Sequence, residues 1–230
     1  MREIVFDTET TGLSFSGGDR LVEIGCVEIF NRVETGRTFH AYFNPDRAMP
    51  AEAFAVHGLS DAFLSDKPRF PELVEAMLEF IGDAPLVAHN AGFDFGFLNG
   101  ELKQCGRPLV CTTRMVDTLT IARSKHPGAK HTLDALCSRY GIDRSHRVLH
   151  GALLDAQLLA QVYVELLGGR QIGLGLVSDV AVAAAQSMQA RTPSVVRPAR
   201  IFSASEAELT AHAAFMGRVK NPIWGSDASA

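Results

Sequence analysis

Apolar and polar positions alternate along three early stretches of the chain: residues 2–7, Leu21 to Phe30 through Val22, Ile24, Val27 and Ile29, and Thr38 to Phe43. A period of two is the signature of strands, and three in succession predict an antiparallel meander. From Pro71 the spacing changes to that of a helix, with Leu73, Val74, Met77, Leu78 and Ile81 on one stripe, followed by a short buried strand at Leu86-Val87-Ala88. Asn90 is placed to cap a helix carrying Phe93, Phe97, Leu98 and Leu102, which ends near Gly106-Arg107-Pro108. Val110 to Met115 predicts a fifth strand, Thr132 opens an amphipathic segment through Leu133, Leu136 and Tyr140, and a long helix from Gly151 to Leu167 stops at Gly168-Gly169. Strands first, then helices and strands in alternation, describe an α/β fold in which a mixed sheet is covered on both faces.

The pattern breaks after Gly169. Residues 177–199 are rich in Ala, Val, Ser and Gln, contain Pro193 and Pro198 and no aromatic residue, and predict a linker, although Val180 to Gln189 could also form a helix. Ser205 and Glu208 then form an S-x-x-E capping box, Leu209, Ala213 and Met216 line one face, and Trp224 follows. One domain over residues 1–170 with an appended tail suits a chain of 230 residues with 47% hydrophobic content. No stretch approaches the ~20 apolar residues of a membrane helix, and nothing at the N-terminus resembles a signal peptide, so a soluble, cytoplasmic protein is expected. Cys26, Cys105, Cys111 and Cys137 show no C-x-x-C spacing, which argues against zinc and for reduced, buried thiols. A net charge of −4 implies a weak intrinsic grip on nucleic acid, since such affinity comes mostly from Lys and Arg on phosphates.

Candidate chemistry lies in three segments. D-T-E-T-T-G carries Asp7 and Glu9, which share one face of a strand; H-N-A-G-F-D carries Asp94; and H-G-A-L-L-D carries His150 and Asp155. Singly, each has a plainer explanation: a polar strand end, a carboxylate favoured by a helix N-terminus, a solvated loop histidine. Together, four carboxylates converging in one fold would repel unless divalent cations sat between them, which predicts a hard-metal site beside a phosphate chain. On an ideal helix His150 and Asp155 lie roughly 140° apart, so His150 is assigned to the loop entering the helix.

These three motifs, in this order, resemble the DEDD superfamily of 3′–5′ exonucleases in its histidine-type subgroup, over roughly residues 1–170. Within it the chain is most similar to the epsilon, proofreading family of bacterial DNA polymerase III. The resemblance implies a ribonuclease-H-like mixed five-stranded sheet flanked by helices. It also implies two Mg²⁺ or Mn²⁺ ions held by Asp7, Glu9, Asp155 and Asp94, with Asp7 bridging and His150 as general base. Substrate contacts carried over in the same way are Thr10, Thr11 and Gly12 through backbone amides, Leu13 and Phe93 against the terminal base, Val56 and His57 against sugar and base, and Asn90 in support. For Leu13 and Phe93, ordinary core packing is an equally simple explanation.

The tail adds two expectations. Residues 171–176, with Gln171, Leu174 and Leu176, resemble a short sliding-clamp-binding peptide, although a plain exit from the preceding helix fits as well. Residues 200–230, with Leu209, Met216 and Trp224, present an apolar face without a domain to bury it, and by resemblance would bind the polymerase alpha subunit. Proofreading of the 3′ end of DNA is therefore the expected function. An RNA-directed exonuclease of the same superfamily and a non-catalytic adaptor are the other two readings of the pattern.

Overall fold

A computed structural model describes residues 1–147, 149–169 and 203–220. The chain divides into two units, Met1–Leu174 and Gly175–Ala230. Among the described residues of the first, five strands form one sheet in the order β3-β2-β1-β4-β5: β1 (Arg2–Thr10), β2 (Leu21–Phe30), β3 (Val33–Tyr42), β4 (Leu86–Ala88) and β5 (Met115–Asp117). The meander β1-β2-β3 is antiparallel, and β4 and β5 run parallel to β1, giving the mixed sheet the sequence predicts.

Alternation along β1 separates the two layers. Ile4 and Phe6 point into a core with Phe70, Val74, Met77 and Ile81 of α3 (Phe70–Ile81) and Phe95, Leu98 and Leu102 of α4 (Gly92–Gln104). Val5 points the other way, joining Val27, Ile29 and Val87 against Ala156, Leu159 and Tyr163 of α7 (Ala152–Leu166). The remaining helices of this unit are α1 (Ala51–His57), α2 (Asp61–Leu64), α5 (Thr118–Lys125) and α6 (Leu133–Tyr140). A backbone contact decides how close α7 comes. A Cβ built on Gly25 of β2 would fall 2.3 Å from the Leu153 backbone, so only glycine admits the start of α7 at this distance.

Three sequence expectations change. The fifth strand begins at Met115, where it was expected to end, because Asn99 clamps the backbone of Val110 in both directions and Thr112–Arg114 turns as a 3₁₀ helix. Helices α1, α2 and α5 carry no clear amphipathic stripe at seven, four and eight residues, and the hydrophobic pattern does not reveal them. The thiols are free, but Cys111 is exposed and Cys105 half-buried, so only Cys26 and Cys137 match the expected burial. In the second unit, α8 (Glu206–Met216) opens with the expected Ser205–Glu208 capping box, and no residue of it is buried. Gln171, Leu174, Leu176, the linker 177–199 and Trp224 lie outside the described residues.

Candidate active site

The C-terminal end of β1 and the N-termini of α4 and α7 meet around one cleft of about 630 Å³, lined by Asp7, Glu9, Asp94, Arg147, His150 and Asp155 among others. Each position has a local cause. Asp7 and Glu9 continue the face begun by Val5, and β1 runs beyond Asp7 to Thr10, which keeps both carboxylates on the α7 side. Thr8 takes the opposite face and its hydroxyl donates to Asp94 Oδ1 at 2.7 Å, tying α4 to β1. Asp155 lies in the first turn of α7, where free backbone N–H groups favour a carboxylate. His150 precedes that helix in the expected loop, and its backbone N–H donates to the Val56 carbonyl at 3.2 Å.

The carboxylates strain one another. Glu9 is buried and stands directly opposite Glu23 in the β1–β2 register, both on the α7 face. Burial, then the charges of Glu23 and Asp155, push the Glu9 carboxyl up to about 8. Burial raises Asp94 to about 7 against the opposing pull of the Thr8 hydroxyl. Burial, with Asp94, Glu9 and Asp155 adding to it, raises Asp7 well above the ordinary carboxylate range. Such a site calls for positive charge, and carboxylate oxygens suit a hard divalent cation. Among the described residues, donor atoms of Glu9, His150 and Asp155 lie within 4.8 Å of one another; Asp7 and Asp94 line the same cleft outside that trio. The set expected from sequence is thus assembled in one place, with His150 closer to the donor group than a distant base would be.

A second cavity of about 500 Å³ adjoins the first and shares Thr8, Glu9 and Phe93 with it. Thr10, Thr11, Gly12, Leu13, Val56 and His57 line this cavity, whereas Asn90 lines the acidic cleft. Leu13 is 87% exposed, which rules out core packing for it, while Phe93 packs its ring 5.0 Å from Phe97 and keeps one side open to both cavities. His57 is buried and accepts the Leu59 N–H on Nδ1 at 3.1 Å, while among the described residues Nε2 has no well-formed hydrogen-bond partner; burial holds the ring below the usual imidazole range, and the Thr10 backbone pulls the other way. A neutral N–H donor without a partner is what a bound polar ligand would satisfy.

Asn90 does not cap α4. It adopts a left-handed conformation (φ 64°) and the helix begins after Ala91 with no side-chain cap; Asp117 Oδ1 instead accepts the Asn90 and Ala91 N–H groups at 3.0 and 3.3 Å. Asp117 at the end of β5 therefore shapes the corner that leads to Asp94. Sequence reasoning missed Asp117, Glu23 and Arg147. Arg147 was detectable as the basic residue just before His150, whereas Glu23, one of two glutamates in β2, carries no mark of its own in the sequence.

The Exonuclease (RNase T) family model matches residues 4–163. The chain is 47% identical over 222 residues to the DNA polymerase III subunit epsilon of Rickettsia conorii, covering 95% of this chain and 96% of that one. It is 43% identical over 229 residues to the subunit of the same name from Escherichia coli strain K12, covering 95% and 93%. Among solved structures, it resembles the nuclease domain of 3′hExo, a DEDDh family member, with a TM-score of 0.63 at 16% identity, covering 73% of this chain and 92% of that one. It also resembles exonuclease X in complex with 5′-overhanging duplex DNA, with a TM-score of 0.56 at 25% identity, covering 72% and 90%. The fold, the acidic cleft, the family match over residues 4–163 and the epsilon relatives over 95% of the chain agree: the chain belongs to the exonuclease family and, within it, to the DNA polymerase III epsilon subunits.

Proposed function

We propose that the chain proofreads DNA synthesis, releasing mispaired 3′-terminal nucleotides as 5′-mononucleotides with two Mg²⁺ or Mn²⁺ ions held by Asp7, Glu9, Asp94 and Asp155. The observation that carries this reading is the meeting of four carboxylates and His150 in a cleft that opens onto a nucleotide-sized cavity. Buried oxygen donors, with Asp7 and Glu9 raised further by neighbouring carboxylates, fit hard divalent ions. Such ions, when bound, supply Lewis-acid stabilisation of the phosphate and a more acidic water.

The chain's own residues supply the rest. Phe93 and Leu13 offer faces for the terminal base, and stacking of this kind tolerates every base, as removal of any mismatch requires. The unpartnered Nε2–H of His57 donates to the sugar or base in the same cavity. His150, half-exposed at the rim of the cleft, takes the proton of the attacking water, the general-base role that an imidazole beside a carboxylate fills. The tail from residue 200 onward docks on the polymerase alpha subunit, residues 171–176 directly after the catalytic domain touch the clamp, and residues 177–199 link the tail to them; relatives named as epsilon subunits extend over 95% of this chain. The protein acts in the cytoplasm at the replisome; among the described residues no helix is long and apolar enough to cross a membrane.

A time course on 3′-labelled single-stranded DNA and RNA, with and without Mg²⁺, tests the reading. Mg²⁺-dependent mononucleotide release from DNA is expected, abolished in Asp7→Ala and slowed about 10²–10⁴-fold in His150→Ala, the range of general-base catalysis. Release from RNA alone, or none from DNA, overturns it.

A further inference from the structure

Arg147 lies across the acidic cleft as a fork. Its Nε is 2.5 Å from Asp155 Oδ1 and its Nη2 is 2.7 Å from Asp155 Oδ2, and the two side chains are only 9% and 4% exposed. The same Nη2 is 2.9 Å from His150 Nδ1, and Nη1 is 3.0 Å from Asp134 Oδ1, a carboxylate that Arg144 also holds. The Asp155 oxygens in this grip are the ones an ion on Asp155 would need, and the guanidinium charge beside them competes with a second cation for the same carboxylate. The same Nη2 also lies 3.3 Å from His150 Nε2, so the guanidinium sits against both nitrogens of the ring.

We infer that Arg147 is a displaceable internal counter-cation, which holds Asp155 and His150 in an idle arrangement until a divalent ion takes Asp155 and the guanidinium turns to the substrate phosphate. Asp134 is the tether that keeps the released guanidinium at the rim of the cleft. Its planar fork matches a phosphate as well as it matches a carboxylate. Arg147 is thus a positioning residue for the base and the ion ligand. The inference rests on the metal reading above.

The test uses the full chain, with Arg147→Gln and the charge-keeping Arg147→Lys. Mn²⁺ titrations followed by electron paramagnetic resonance should show Arg147→Gln binding the ion about tenfold tighter, since a charge-assisted contact that competed with it is gone. Arg147→Lys, a point charge without the fork, should fall between the two. Thermal unfolding should place Arg147→Gln below the parent protein in chelator and close to it in saturating Mn²⁺, whereas a purely structural arginine would leave the same gap in both. Thymidine 5′-monophosphate, titrated in Ca²⁺, should bind Arg147→Gln about tenfold more weakly despite the tighter ion, one charged phosphate contact having been lost. Unchanged or weaker Mn²⁺ binding by Arg147→Gln, or by Arg147→Lys if the former does not fold, overturns the inference. No Mn²⁺ binding by the parent protein would overturn the metal reading itself.

Discussion

Glu9 and Glu23 face each other across two antiparallel strands, an arrangement that costs stability unless a proton or a cation relieves it. The raised pKa values of Glu9, about 8, and Asp94, about 7, state which way pH acts. Between the ordinary carboxyl values, 4.5 and 3.8, and these raised ones, the folded protein holds protons that the unfolded chain has already released. Stability from these two groups is therefore present at acid pH and is lost as pH rises toward 8. The unfolding temperature of chelator-treated protein should fall over that window, and added Mg²⁺ or Mn²⁺ should raise it more at pH 8 than at pH 6. A flat profile without ions would show that the carboxylates are not forced together. Glu23→Gln should flatten the slope by removing the charge opposite Glu9. At this scale Asp7, Glu9, Asp94, His150 and Asp155 were legible because each lies in a short motif. Glu23 and Asp117 were not, since their importance comes from which residue sits across the sheet, and that is set by register.

Elements bring these residues together through one close approach. Gly25 lets the first turn of α7, which carries Asp155, rest on β2. Gly25→Ala should cost about 1–3 kcal/mol, the usual range for overpacking, because the added methyl would meet Leu153 and Ala152 backbone. It should also slow nucleotide release more than the lost stability explains, by moving Asp155 and the His150 loop away from Glu9. Denaturant titration and turnover measured on one preparation separate the two effects. Gly96→Ala on α4 is the matching control: nothing lies within 4 Å of its would-be Cβ, so stability should hold or rise. Strands β1, β2 and β4 and helices α3, α4, α6 and α7 were legible from period, whereas β3 begins at Val33, ahead of the expected Thr38, and α4 lacks the expected Asn90 cap. Helix α1 was not legible, because Phe54 and Val56 face outward while His57 is buried, which reverses the expected pattern. Strand β5 was displaced because Val110 is buried in a loop, held by Asn99, and burial alone resembles a strand in the sequence.

For the whole molecule, a net charge of −4 and a cleft crowded with carboxylates make a poor trap for free DNA. The exposed Leu209 and Phe215 on α8 present apolar surface in the second unit, as a docking segment would. Deleting residues 200–230 should abolish co-purification with the polymerase alpha subunit and leave mononucleotide release from single-stranded DNA intact. Retained co-purification would remove the tail from this role.

Sequence by itself determined the meander, the main helices, the five candidate side chains that come to line one cleft and the family resemblance, because strand and helix period and short motifs are local and survive in one dimension. Tertiary structure alone decided that Glu9 opposes Glu23, that Asp117 rather than Asn90 holds the corner before Asp94, that His57 is left with an unpartnered donor, and that Arg147 grips Asp155 and His150 together. Each of these depends on register, on a turn conformation or on the packing of elements far apart in the chain. Such relations are fixed only when the sheet pairs and the helices close on it.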